Sequence, residues 1–522
     1  MLRLASSLST SRRLTLALAL ASLAACGGGG GGGGGPPPVV SSGWVAGVFQ
    51  PSAGFAAKCA APRPGTNDLQ GTTLNENNWL RSWTNELYLW YREVPDQDPS
   101  LFSTSAYFKA LKTSAITASG AAKDKFHFTY STADWIALSQ SGVQAGYGAQ
   151  WALLAATPPR ELVVAYTDPG TPGAANLARG AEVLMVDNVD LVNAPDQASV
   201  DILNAGLFPT AAGQTHSFQV RDLGQTTTRT ISMTSANVTS TPVQNVTTFA
   251  TGSGTVGYVL FNDHIATAEG QLIDAVNTLK TAGINDLVLD IRYNGGGYLD
   301  IANEVAYMIA GATATSGRTF ELLQFNDKYP ATNPVTGAPI TPTMFHTTSQ
   351  GFSGPAAGQA LPTLNLPRVF VLTSGNTCSA SESIMNSLIG IGVEVIQIGS
   401  TTCGKPYGFY PADNCGTTYF SIQFRGINDM GNGEYTDGFS PANTTSAIGV
   451  TVPGCSVADD FTHALGDPNE GRLAAALSYR SNPVCGPATG FAPFTKTSML
   501  SMAEGVVPKS PMLENRIMRQ SQ

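Results

Sequence analysis

Residues 286–297 read Asp-Leu-Val-Leu-Asp-Ile-Arg-Tyr-Asn-Gly-Gly-Gly, an apolar strand that ends on three glycines. The same rhythm surrounds it. Strand-like runs at 255–261, 286–292, 368–374 and 393–399 alternate with helical patterns at 268–281, 298–310 and 379–390. In the 298–310 helix, Tyr298, Ile301, Ala302, Val305 and Ile309 share one apolar face. Strands spaced by amphipathic helices imply parallel βαβ units, hence an α/β fold. The stretch 311–367, rich in Thr, Pro and Gly, reads as a long insertion expected over the site. A last helix is expected at 470–479 and a loosely ordered tail after Cys485.

Chemistry gathers at the strand ends. Ser379 opens a predicted helix in Thr373-Ser-Gly-Asn-Thr-Cys-Ser-Ala-Ser-Glu382, and Lys405 follows 26 residues later in Gly404-Lys-Pro-Tyr-Gly408. A serine hydroxyl is a poor nucleophile at neutral pH and needs a base beside it. Lys405 serves only if neutral, which requires burial to bring its pKa down from about 10.4. The glycine turn at 295–297 offers backbone N–H groups for an oxyanion, and a helix start favours negative charge. The chain therefore reads as a serine hydrolase. A Ser-His-Asp arrangement through His264 or His463 lacks a Gly-x-Ser-x-Gly elbow, and no Ser-x-x-Lys motif occurs. Taken alone, Ser-Ala-Ser-Glu is an ordinary helix cap.

Three motifs in order carry a resemblance. Asp290-Ile-Arg-Tyr-Asn-Gly-Gly-Gly297, Ser379-Ala-Ser-Glu382 and Gly404-Lys405 are similar to those of the carboxyl-terminal processing, or tail-specific, proteases. The resemblance spans about 140–480 and implies a crotonase-like ββα catalytic core. It further implies Ser379 as nucleophile, Lys405 as base, and the N–H groups of Ala380 and Gly296 as the oxyanion hole, with no cofactor and protein or peptide substrates. The chain departs from the pattern in places. Phe409 stands where the family often has a glutamine that orients the lysine, Pro406 and Tyr407 replace small residues, and the Ser–Lys interval is longer by one. The same fold family includes retinoid-binding proteins without proteolysis, so a membrane-anchored, inactive binding module is the alternative reading.

The segment before the catalytic one, 136–240, resembles a PDZ domain through Asp168-Pro-Gly-Thr-Pro-Gly173 and Arg179-Gly180. Ala181 replaces the usual acidic residue. Gly146, Tyr147, Gly148 and Ala149 match the loop that receives a peptide's terminal carboxylate, the peptide adding as a strand. Upstream, Trp79, Leu80, Trp83, Leu87 and Trp90 recur at helical spacing and read as core. Residues 43–135 are thus expected as a small helical N-terminal region, 241–480 as the catalytic domain and 481–522 as the tail.

The beginning reads as an address. Arg3, Arg12 and Arg13 precede the apolar run Leu14–Ala25, too short to span a bilayer, so 1–25 reads as a secretory signal. Leu23-Ala-Ala-Cys26 resembles the lipobox of bacterial lipoproteins, which implies a lipidated Cys26 and anchorage in a bacterial cell envelope. Nine glycines and three prolines follow, and 26–42 is a tether that cannot fold. Gly27 lacks the acidic character that retains similar lipoproteins at the inner membrane, which favours the outer one, with the body in the periplasm or exterior. The net charge of −9 without a basic cluster argues against nucleic acid and against adhesion to anionic lipid other than through Cys26.

Six further cysteines, an even number in an exported chain, favour disulfides, and no CxxC or HExxH points to zinc. Sequence alone does not choose their pairing. The expectation is Cys403 with Cys415 and Cys455 with Cys485, which leaves Cys59 for Cys378.

Overall fold

The computed structural model describes residues 43–155, 158–490 and a two-residue strand at 516–517. The signal, Cys26 and the tether lie outside the described residues, as does most of the tail.

The N-terminal region carries helices α1 (Thr73–Leu87) and α2 (Thr104–Ala110), strand β1 (Phe128–Ser131) and helix α3 (Thr132–Ser141). Thr72 caps α1 in a reciprocal box with Asn75, and Trp79, Leu80 and Trp83 turn inward as their spacing required. Helix α1 ends at Leu87, so Trp90 lies beyond it.

The second segment is β-rich: β2 (Val143–Gly146), β3 (Ala149–Ala155), β4 (Glu161–Thr167), helix α4 (Pro172–Asn176), β5 (Glu182–Val186), helix α5 (Gln197–Leu207), β6 (Thr215–Arg221), β7 (Arg229–Thr234) and β8 (Ala236–Thr239). The sheet order is β7-β6-β5-β4-β3, which leaves β3 at an edge, while β2 pairs with β8. Between β2 and β3 the chain turns at Tyr147–Gly148, where Gly148 takes a φ of +67° that suits glycine.

The third segment holds β9 (Val243–Thr251), β10 (Gly254–Phe261), α6 (Ala268–Thr281), β11 (Asp286–Asp290), β12 (Gly297–Tyr298), α7 (Leu299–Thr315), β13 (Thr319–Gln324), β14 (Arg368–Thr373), α8 (Ala380–Gly390) and β15 (Glu394–Gly399). It continues with β16 (Tyr407–Gly408), β17 (Thr417–Phe420), β18 (Phe424–Ile427), β19 (Gly454–Ser456), α9 (Gly471–Ser481) and β20 (Arg516–Ile517). The main sheet runs β9-β10-β11-β14-β15-β19, parallel except for the β9–β10 pair.

Alternation along the strands builds two cores, because successive side chains face opposite ways. Val259, Leu287, Leu289, Val369, Val371 and Val395 pack with α6, α7 and α8. Tyr258, Leu260, Val288, Phe370, Ile396 and Ile398 face α9 and Tyr166 of the β-rich segment. Burial on both faces explains why these strands read as continuous apolar runs. The expected insertion 311–367 opens with the end of α7 and includes β13, which pairs with β18. Its Phe352 ring lies 4.9 Å from that of Tyr298, at the edge of the glycine turn.

A buried ionic knot joins the segments. Arg292, without solvent exposure, donates to Asp290, Asp459 (2.8 Å) and Glu470 (2.7 and 2.9 Å). Arg179 of the β-rich segment reaches the same Asp459 at 2.8 Å. Burial alone would push Asp459 up, but Arg472, Arg292 and Arg179 hold its carboxyl far below the usual range.

Disulfides link Cys59–Cys415, Cys378–Cys403 and Cys455–Cys485. The last was expected; the other two exchange the expected partners. Asn414, beside Cys415, accepts a hydrogen bond from Ala57 N at 2.9 Å, which brings 415 to the N-terminal region instead of to Cys403.

Where β4 leaves the β-rich segment, Asp168 accepts from Thr241 N (3.1 Å) and Gln244 Nε2 (3.3 Å). Burial pushes its carboxyl up to about 6. Asp263 is raised further by its own burial and then by the Asp168 charge. A carboxyl whose pKa is raised in the fold ionises first in the unfolded chain, so stability is lost as pH climbs from about 4 to about 6. Asp168→Asn keeps an acceptor there without the charge. It should leave stability unchanged near pH 4 and raise it at pH 7.5 by about 1–3 kcal/mol, as read from denaturant unfolding at both pH values.

Candidate active site

Strand β14 delivers the chain to the site. It runs apolar and buried to Thr373, and α8 starts at Ala380. Between them the backbone turns sharply, and Ser379 sits at φ 60°, ψ −114°, a conformation uncommon for a residue with a Cβ. Ser379 is fully buried, and its Oγ has no hydrogen-bond partner among the described residues. Ala380 is the first residue of α8, and its N–H is one of those that a helix start leaves without an intrahelical partner.

Glu382, one turn into α8, fixes this geometry. Its Oε2 accepts from Ser379 N at 2.9 Å and from Lys405 N at 2.8 Å. Its Oε1 accepts from Gly404 N at 2.8 Å and Thr402 Oγ1 at 2.5 Å. The backbone nitrogens of Ser379 and Lys405 thus share one oxygen atom. Burial pushes the Glu382 carboxyl up, and these donors oppose the shift. Gly404 meets the loop at φ +78°, and a Cβ there would lie 2.1 Å from Thr436 O.

The Lys405 side chain is completely buried. Its Nζ lies 4.5 Å from the Phe126 ring centre and 4.9 Å from that of Phe409. Phe409 thus borders the amine from the position where an orienting glutamine was missed. Phe126 belongs to the N-terminal region and was not foreseen, because nothing in its local sequence ties it to a residue so far along the chain. Neighbouring Lys125 donates to Cys403 O at 2.9 Å, holding that region on the loop.

The glycine turn is framed by Asn294. Its carbonyl accepts from Cys378 N (3.1 Å) and Ser381 Oγ (2.9 Å), which ties the turn to the segment of Ser379. Its Oδ1 accepts from Gly296 N at 3.0 Å and pairs with His264 Nδ1 at 2.9 Å, while its Nδ2 donates to Phe261 O. The Gly296 N–H, expected to be an oxyanion donor, is therefore engaged by its own neighbour in this state. His264, fully buried, has its pKa lowered to about 3 by desolvation and stays neutral. Its ring partner is an amide and not a carboxylate, and His463 pairs with Asp460 (2.7 Å) in the ionic region. Neither histidine bonds Ser379.

Beyond the turn, β12 pairs on one side with His264 and on the other with β20 as a parallel strand, Gly297 opposite Arg516 and Tyr298 opposite Ile517. At the far loop, Tyr147 is buried with its Oη on Gly206 O (3.0 Å) and its ring edge-on to Phe218. Gly173 N and Asp168 N donate to the carbonyls of Tyr147 and Gly148 at 2.7 Å each. Ala149 starts edge strand β3. Cys378, Glu382 and Cys403 place ligand atoms within 4.8 Å of one another, but both sulfurs are spent in a disulfide.

Residues 75–130 match the peptidase S41 N-terminal domain, and residues 255–408 match peptidase family S41, a span that holds the glycine turn, Ser379 and Lys405. A carboxyl-terminal-processing protease of Picosynechococcus sp. is 30% identical over 145 residues, 26% of this chain. The match spans 32% of that relative's length. Among solved structures, a putative S41 protease from Bacteroides fragilis shares the fold with a TM-score of 0.58, at 22% identity over 78% of this chain and 97% of that one. The photosystem II D1 C-terminal processing protease aligns at a TM-score of 0.40 and 19% identity, over 72% and 91% of the two chains. Peptidase S41 family domains are thus matched in two places along the chain, the N-terminal domain first and the family domain that holds Ser379 and Lys405 after it.

Proposed function

We propose that this protein is a serine endopeptidase of the carboxyl-terminal processing type, acting on exported or unfolded protein through Ser379 and Lys405. The observation that carries this reading is the Glu382 carboxylate, which holds the backbones of both residues on one oxygen. Ser379 Oγ attacks the peptide carbonyl, Lys405 takes its proton and passes it to the departing amine, and water then hydrolyses the acyl-enzyme. The Ala380 N–H receives the oxyanion. Gly296 joins it once Asn294 Oδ1 releases its N–H. The parallel sheet with α6, α7 and α8 on one face supports a crotonase-type core. The pairing of β20 with Gly297–Tyr298 supports a peptide lying there as an added strand.

The purified full chain should cleave casein, and Ser379→Ala should lower the rate by about 10³ or more. Activity should rise with pH along a single ionisation below about 10.4, since a base role requires the neutral amine. Lys405→Arg should be nearly inactive, because a guanidinium stays protonated. Equal cleavage by wild type and Ser379→Ala would defeat the protease reading.

The β-rich segment acts as a PDZ-type reader of peptide C-termini. Support comes from the Gly146–Ala149 loop beside α5 and from the edge of β3, which no further strand among the described residues covers. In the full-length Ser379→Ala variant, a free-acid peptide ending in small apolar residues should bind at least about tenfold more tightly than its amide. Equal affinity in a fluorescence anisotropy titration would leave the segment a spacer.

Cys26 anchors the body to a bacterial envelope membrane, with outer-membrane placement following from Gly27. Cell fractionation should find the wild type with membranes and Cys26→Ser either released or as an unprocessed precursor. A freely soluble wild type would remove the anchor and leave the catalytic reading intact.

A further inference from the structure

The Cys378–Cys403 disulfide joins the two segments that carry the dyad. Cys378 directly precedes Ser379, and Cys403 stands two residues before Lys405. Their Cα atoms are 5.1 Å apart, Cys378 has no solvent exposure, and Cys403 has 8%. Residues 401–406 form no regular element, so the lysine's loop has no ladder of its own to hold it. Besides the disulfide, it is held by the Glu382 carboxylate, by Cys403 N on Thr377 O (3.0 Å), Thr402 N on Phe439 O (2.9 Å) and Lys125 Nζ on Cys403 O (2.9 Å), and by the packing of Cys403 among apolar side chains. On the other side, Ser379 keeps a backbone conformation that its surroundings must enforce. Cys403 Sγ also lies 3.5 Å from Glu382 Oε2, so the sulfur packs on the carboxylate that both backbones share.

We propose that Cys378 and Cys403 are positioning residues whose disulfide sets the reach between nucleophile and base, so that the peptidase works at full rate only when oxidised. This rests on the Ser379/Lys405 reading. The other two disulfides make no such link. Cys59–Cys415 ties the N-terminal region to a hairpin, and Cys455–Cys485 ties β19 to the segment after α9. A dithiol such as dithiothreitol would open the link by exchange. Two electrons and two protons pass to the cysteines, giving two thiols, and the reagent closes to its own cyclic disulfide. A glutathione disulfide buffer reverses it.

The test is steady-state kinetics of Cys378→Ala/Cys403→Ala in the full chain, well below its thermal midpoint. Alanine is chosen so that no second hydroxyl stands beside Ser379. A misplacement near 1 Å between reacting groups lowers rate by about a hundredfold, so kcat should fall by about ten- to a hundredfold while KM stays within about twofold. Cys59→Ala/Cys415→Ala should lower the thermal midpoint and keep kcat. A link that is only structural would lower the midpoint of the first variant and leave its kcat at the wild-type value, which overturns the proposal. If that variant does not fold, the wild type is reduced stepwise, with alkylation and mass mapping to follow each pair. Activity should then fall with the opening of 378–403 and return on reoxidation. Full activity with that pair open would overturn the proposal. Absence of any activity in the oxidised wild type would instead defeat the peptidase reading itself.

Discussion

One buried carboxylate organises the site. Glu382 places a carboxyl group where it is fully buried, an arrangement that is stable only when its lone pairs are filled by good donors. Four such donors converge on it from two places: Ser379 N from its own helix start, and Thr402 Oγ1, Gly404 N and Lys405 N from a loop after the next strand. Neither segment needs the other for its own secondary structure. The carboxylate makes them one unit, because any displacement of the loop would strand either a buried charge or several buried N–H groups. A residue that sequence presents as a helix cap thereby becomes the fastening between Ser379 and Lys405.

The sheet explains why such a fastening is required. A parallel βαβ order places the ends of β11 and β14 side by side, so the glycine turn and Ser379 arrive together by topology. Lys405 has no comparable guarantee, for it lies beyond β15 on a loop that must fold back. The ionic knot around Arg292 serves a different purpose. It lies at the end of β11 and locks that strand to Asp459, Glu470 and, through Arg179, to the β-rich segment. One buried network fixes the domains, and the other fixes the chemistry.

Legibility in the sequence followed the range of the interaction. The strands and helices of the main sheet were readable because burial on both faces leaves apolar runs bounded by helical periods, and α6 spans the expected residues. The glycine turn, Ser379 and Lys405 were readable because each motif is local. The two exchanged disulfides were not, since sequence proximity suggested 403 with 415 whereas that hairpin folds onto the N-terminal region through Asn414. Also hidden was the engagement of Gly296 N by Asn294, which depends on how one amide turns within the loop.

Phe409 stands at the position expected to hold an orienting amide, and it borders the amine of Lys405 by packing. Here rings stand near it on two sides, Phe409 from the lysine's own segment and Phe126 from the N-terminal region. Rings restrict where the amine can be by contact, and aromatic packing at 5.2 Å between Phe409 and Phe420, with Phe128 stacked on Phe420 at 4.4 Å, keeps one of them in place. Phe128 lies on β1, which pairs with β17 and so joins the N-terminal region to the catalytic domain by backbone as well as by side chain. The match of 75–130 to a domain of its own therefore understates that region's part. It supplies a wall of the Lys405 pocket through Phe126.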